Sequence, residues 1–77
     1  MSNLPTVKAK EFIKVIEQLG FYFDRQKGSH AVYKNDDGLR VVIPIHSNKD
    51  LKPGTLRGMI QDVGMDKETF FKLLGYD

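Results

Sequence analysis

The stretch Arg25-Gln26-Lys27-Gly28-Ser29-His30 sets two cations, a glycine, a hydroxyl and an imidazole in six consecutive positions. Imidazole is the one side chain whose unperturbed pKa, about 6.5, lets it give and take protons near neutral pH. RNA carries its own nucleophile, the 2′-hydroxyl beside each phosphodiester. Strand cleavage therefore needs only a base, an acid and stabilisation of phosphate charge. One or two histidines among lysines and arginines meet that need without a metal. His30 is the candidate proton-transfer residue, and Lys27, Lys34 and Arg40, with Arg25 beside them, are candidates for phosphate contact. Backbone N–H groups around Gly28 can also face an anion, because glycine permits close approach. Ser29 either hydrogen-bonds phosphate or caps the turn.

The elements that must position these residues follow from hydropathy period. Ala9, Phe12, Ile13, Ile16 and Leu19 recur at three- and four-residue steps, which predicts a helix with Thr6 as N-cap and Gly20 as its left-handed terminator. Met1 to Pro5 read as a loose start. Period two then begins at Phe21 and Phe23, a turn signal falls at Gln26-Lys27-Gly28, and His30 to Asn35 reads as a second strand. Asn35-Asp36-Asp37-Gly38 signals a hairpin into a third strand, Leu39 to Ile45. His46 to Pro53 is a polar crossing loop with Leu51 as its buried anchor. A second helix starts near Pro53-Gly54-Thr55, buries Leu56, Met59, Ile60 and Val63, and ends at Gly64. A short third helix has Asp66 as N-cap, Phe70, Leu73 and Leu74 inward, and Gly75 closing it. The order helix, three strands, helix, short helix predicts an α+β domain with a three-stranded antiparallel sheet and the helices on one face.

Register decides where His30 points. A three-residue Asp36-Asp37-Gly38 loop sets Tyr33 opposite Val41 and Ala31 opposite Ile43 on the core face. His30, Val32 and Lys34 then share the other face with Arg40, Val42, Pro44 and His46. A matching Gln26-Lys27-Gly28 loop places Asp24 opposite His30 and Phe23 opposite Ala31. A two-residue Lys27-Gly28 turn would instead put Arg25 beside His30 and Phe23 beside Val32. The first leaves fewer aromatic rings on the wet face.

Composition bounds the rest. The 77 residues predict one domain, with 40% hydrophobic and 29% charged residues, a folding rather than a disordered composition. No cysteine is present, which rules out disulfides and thiolate chemistry and fits a cytoplasmic location. No secretory signal is visible at the start, and no apolar run approaches the roughly 20 residues of a membrane span. Two histidines among scattered aspartates show no metal-ligand spacing, and no cofactor is implied. From Arg25 to Arg57, seven lysines or arginines face Asp36, Asp37 and Asp50, whereas beyond Arg57 acids outnumber bases. The positive field belongs to the middle of the chain, where the histidine is.

A histidine in a small domain is commonly only a surface or packing residue, and His46, at a strand end, can simply cap the loop or pack on Pro44. The ordered set of motifs says more. Leu19-Gly20-Phe21, Arg25-Gln26-Lys27-Gly28-Ser29-His30, Val42-Ile43-Pro44-Ile45-His46, Leu51-Lys52-Pro53-Gly54-Thr55-Leu56-Arg57 and Phe70-Phe71-Lys72-Leu73-Leu74 follow one another along nearly the whole chain. In this order the sequence resembles the HicA-type mRNA interferase toxins of bacterial and archaeal toxin–antitoxin pairs.

That resemblance implies an α-β-β-β-α double-stranded-RNA-binding-like fold with a short extra C-terminal helix. It also implies cleavage of mRNA, and a HicB-type antitoxin that covers the active site. The family's catalytic histidine is the one in Gly-Ser-His, here His30, with Gly28 in the same motif. The strand-end histidine corresponds to His46, with a structural or RNA-binding role. Position 31 departs from the pattern: it is Ala31, where many relatives carry a second histidine or another polar residue. Two other functions use the same features: a non-catalytic module that holds double-stranded RNA by shape and phosphate contacts, and a protein-docking domain.

Overall fold

Val7 and Lys8 enter the fold as extended chain. The Leu51 N–H donates to the Val7 carbonyl at 2.7 Å, and Lys8 pairs with Asp50 in an isolated antiparallel bridge. This pairing delays the first helix, α1, which spans Ala9–Gln18 with Lys8, not Thr6, at its N-cap. Val7 and Lys8 are extended, so helical geometry begins only at Ala9, and Lys8 keeps the extended conformation usual for an N-cap. The Glu11 carboxylate accepts the Lys8 N–H at 2.8 Å and satisfies one of the donors at the helix start. The structure, a computed structural model, describes residues 5–46 and 49–75. The expected loose start lies outside the described residues from Met1 to Leu4, as do Ser47 and Asn48 of the expected crossing loop.

Helix α1 buries Ala9, Phe12, Val15 and Ile16. Ile13 is only partly buried and Leu19 is exposed, so the inward stripe is centred nearer Val15 than the periodicity suggested. Gly20, at φ 95°, turns the chain, and the Phe21 N–H returns to the Ile16 carbonyl at 3.0 Å, which folds Phe21 into the core.

Three antiparallel strands follow in the order β1 (Tyr22–Lys27), β2 (His30–Lys34) and β3 (Arg40–Pro44). The β2–β3 register is the expected one: Tyr33 faces Val41 and Ala31 faces Ile43. Gly38 sits at φ 87°, the left-handed position the loop requires, and the Asn35 side-chain oxygen accepts the N–H groups of Asp37 and Leu39 at 3.1 and 2.9 Å.

The β1–β2 pairing differs from both expected registers. The loop is Gly28-Ser29, with Lys27 opposite His30, Gln26 opposite Ala31 and Arg25 opposite Val32, and the register shifts between Phe23 and Arg25 so that Phe23 faces Tyr33. Asp24 is therefore a bulge residue, not the cross-strand partner of His30. The bulge resolves a conflict in the sequence. It keeps Phe23 on the helix side, edge-to-face with Tyr33 at 5.7 Å, and turns Arg25 and Lys27 to the open side. Phe23 is still 53% exposed.

Helix α2, Pro53–Asp62, begins with proline at its first position, where the missing N–H costs nothing. It buries Leu56, Met59 and Ile60, with Val63 buried at its C-cap. Helix α3, Lys67–Leu74, opens on Asp66, whose Oδ1 accepts the Thr69 N–H at 2.7 Å, and closes on Gly75 at φ 110°. Its inward residues are Phe70 and Phe71, with Leu73 exposed, against expectation. With both phenylalanines inward, a rotation of about 100° per residue keeps Leu74 between them and swings Leu73 to the flank.

Phe12, Phe70, Ile16, Ile43 and Leu56 are the largest fully buried side chains, and the Phe12 and Phe70 rings lie 5.3 Å apart where α1 meets α3. Burial pushes the Tyr33 phenol up from its ordinary value, with the Glu17 carboxylate of α1 adding to the effect. The helices cover one sheet face in an α+β arrangement of the double-stranded-RNA-binding-like kind. Among the described residues no helix is long and apolar enough to cross a membrane.

Candidate active site

The uncovered sheet face is a grid of three cross-strand rows. Lys27, His30 and Pro44 form the first, Arg25, Val32 and Val42 the second, and Tyr22, Lys34 and Arg40 the third. Neighbouring strands lie about 4.8 Å apart and successive same-face residues about 6.6 Å apart. Seven of the eight residues singled out from the sequence for the site thus share this face or its hairpin: Arg25, Lys27, Gly28, Ser29, His30, Lys34 and Arg40. The eighth, His46, lies just beyond β3.

The Gly28-Ser29 loop fixes where His30 stands. Gly28 takes φ 58°, which an L-residue adopts only at a cost, and its carbonyl accepts the Gln26 side-chain amide at 3.1 Å. The Ser29 carbonyl accepts the Ile45 N–H at 2.6 Å, which ties the loop to the end of β3. The first residue of β2 is consequently fixed on both sides while its imidazole stays exposed.

His30 sits where two hollows meet. One, of about 590 Å³, runs from His30 over Val42 and Pro44 to His46, Lys49, Asp50, Leu51, Lys52 and Thr55. The other, of about 460 Å³, is lined by Arg25, Lys27, Val32 and Arg40 together with His30 and Val42. Lys49, Lys52 and Thr55 were not singled out from the sequence. The available signal was the polar segment between His46 and Pro53, which folds beside the histidine because Leu51 is buried and its N–H is anchored on Val7.

Not every cation on the face is available. Asp24 Oδ1 lies 3.1 Å from Lys34 Nζ, and its Oδ2 lies 2.7 Å from the Arg25 guanidinium. The hydrogen bond from Lys34 is the main cause holding the Asp24 carboxyl below its ordinary value, with partial desolvation opposing it and the charges of Lys34 and Arg25 helping. Lys27 and Arg40, by contrast, make no ion pair among the described residues. An exposed imidazole with an uncompensated cation, Lys27, directly across the strand pair can exchange protons with the oxygens of a bound phosphodiester linkage while the phosphate charge is held nearby. No group of three or more histidine and acidic side chains among the described residues gathers to hold a metal ion.

Comparison with known proteins gives one family. A family model described as the HicA toxin of bacterial toxin–antitoxin systems matches residues 9–65, from the start of α1 past the end of α2. No curated protein gives a significant match.

Proposed function

Because the chain belongs to the HicA toxin family, the toxin side of a toxin–antitoxin pair, we propose that it is a metal-independent endoribonuclease acting on mRNA, with His30 as general acid or base. The supporting observation is the position of His30, exposed on the open sheet face at the junction of two hollows lined with cations. In the reaction the 2′-oxygen attacks the adjacent phosphorus and loses its proton to a base. The bond from phosphorus to the 5′-oxygen breaks, and that oxygen receives a proton. His30 performs one of these transfers, a role worth about 10²–10⁴-fold in rate. Lys27 and Arg40 offset phosphate charge, Gly28 shapes the loop, and His46 contributes to RNA binding from the far side of the cleft.

An antitoxin partner follows from the family, and a HicB-type protein that covers the open face would silence the enzyme by occupying the same cations. The experiment is incubation of purified protein with RNA in EDTA. Cleavage that persists supports the proposal, and cleavage lost on chelation contradicts its metal-free form. Intact RNA together with tight, salt-sensitive binding would make the fold a binding module instead.

A further inference from the structure

Resting on the nuclease reading above, we infer that the Lys49–Lys52 segment forms a second phosphate subsite, so that one RNA strand is held on both sides of His30. Three observations carry this. First, the cations of the two hollows that make no ion pair among the described residues are distributed two and two: Lys27 and Arg40 line one hollow, and Lys49 and Lys52 line the other, with His30 common to both. Second, these cations cannot all serve one phosphate. Arg40 stands opposite Lys34, four residues along β2 from His30, or roughly 13 Å. A chain of linked phosphates fits that spread and a single anion does not. Third, the floor between the hollows is Val42 and Pro44, with Val42 40% exposed, an apolar strip on which a nucleotide base can lie.

The wall of the second hollow is built, not incidental. Asp50 is the one acid lining it and would repel phosphate. Lys8, which does not line the cleft, places its Nζ 3.0 Å from Asp50 Oδ1 and offsets that charge. The backbone bridge between Lys8 and Asp50 and the hydrogen bond from Leu51 to Val7 hold the segment in place. Lys8 is therefore a positioning and charge-compensating residue for a subsite it does not touch.

The test measures binding of the full chain to uncleavable 2′-O-methyl oligonucleotides lengthened one nucleotide at a time, alongside cleavage of the matching RNAs. Affinity should rise at least tenfold as the strand grows long enough to reach both hollows. In Lys49→Gln/Lys52→Gln the gain from extension on one side should vanish, and the salt slope should fall by about 0.7 per charge removed. Lys27→Gln/Arg40→Gln should remove the gain on the other side. Lys8→Gln should weaken binding about threefold, and Asp50→Asn added to it should restore affinity, which a merely structural role for Lys8 would not do. Length-independent binding, equal losses for every length in both double variants, or no rescue by Asp50→Asn would overturn the inference. Those results alongside intact cleavage would leave the nuclease reading standing. Length-dependent binding without cleavage would uphold the two-sided track and remove the nuclease.

Discussion

Asp24 and Lys34 are joined by a 3.1 Å ion pair across the β1–β2 bulge, on the same sheet face as His30. The pair divides the cations of that face into those already engaged and those free to meet phosphate. Lys34→Ala should change RNA cleavage less than threefold, and Lys27→Ala or Arg40→Ala should lower kcat/KM by tenfold or more. Asp24→Asn releases Lys34 and Arg25, so RNA affinity at low salt should rise, with a salt slope steeper by about 0.7 to 1.4. Cleavage kinetics of the Lys34, Lys27 and Arg40 variants would check the first set, and titrations of catalytically inactive protein with labelled RNA at several salt concentrations would check the second. Equal losses for Lys34 and Lys27 would contradict the division.

Two carboxyls held below their ordinary value, Asp24 and Asp66, contribute to the acid limit of stability. Asp24 is lowered chiefly by the hydrogen bond from Lys34, and Asp66 chiefly by the Thr69 N–H at the start of α3. A carboxyl with a depressed folded pKa binds fewer protons in the native state, so its contribution is present above the unfolded value of about 3.9 and is lost as pH falls through the folded value. The denaturant midpoint should hold down to about pH 5 and fall below about pH 4. Asp24→Asn/Asp66→Asn should flatten that acid limb, and an unchanged limb would contradict the assignment.

Two glycines should respond in opposite directions. Gly28, at φ 58°, should lose about 1–2 kcal/mol on change to Ala and lose cleavage with it, since the loop sets His30. Gly58, inside α2 with open space around an added methyl, should gain about 0.5–1 kcal/mol on change to Ala and keep cleavage. Chemical denaturation and an RNA-cleavage assay on the same samples would test both.

Phe12→Ala should cost about 3–5 kcal/mol, because it removes a fully buried ring stacked near Phe70. In so small a domain that is a large share of the whole stability, so the melting transition should be lost or shifted far down. A variant melting within a few degrees of the parent would contradict the packing.

The same residues explain what could be foreseen. The β2–β3 register was legible because Gly38 after Asp36-Asp37 admits few loop geometries and the apolar residues of both strands then coincide. The β1–β2 register was not, because a bulge at Asp24 breaks the two-residue period that register arguments assume. Gly28-Ser29 is itself a two-residue hairpin signal, distinct from both the Gln26-Lys27-Gly28 loop and the Lys27-Gly28 turn, and keeping aromatic rings dry favours the first of those two. Phe23 shows why that was misleading: it lies on the helix side yet remains half exposed. The family was readable from motif order, and the place of His30 on the open face from the β2–β3 register. Lys49, Lys52 and the compensating Lys8–Asp50 pair were not, because they converge only through contacts 42 positions apart in the chain.

The central claim is that His30 transfers a proton in RNA cleavage. The most direct measurement is single-turnover cleavage of an RNA oligonucleotide in EDTA by the parent chain and by His30→Ala, with circular dichroism and Tm confirming the fold of each. The side chain is exposed at the start of β2, so its removal should leave stability within about 0.5 kcal/mol. The account predicts a loss of at least about 100-fold in the cleavage rate. A folded His30→Ala protein that cleaves within threefold of the parent would contradict it.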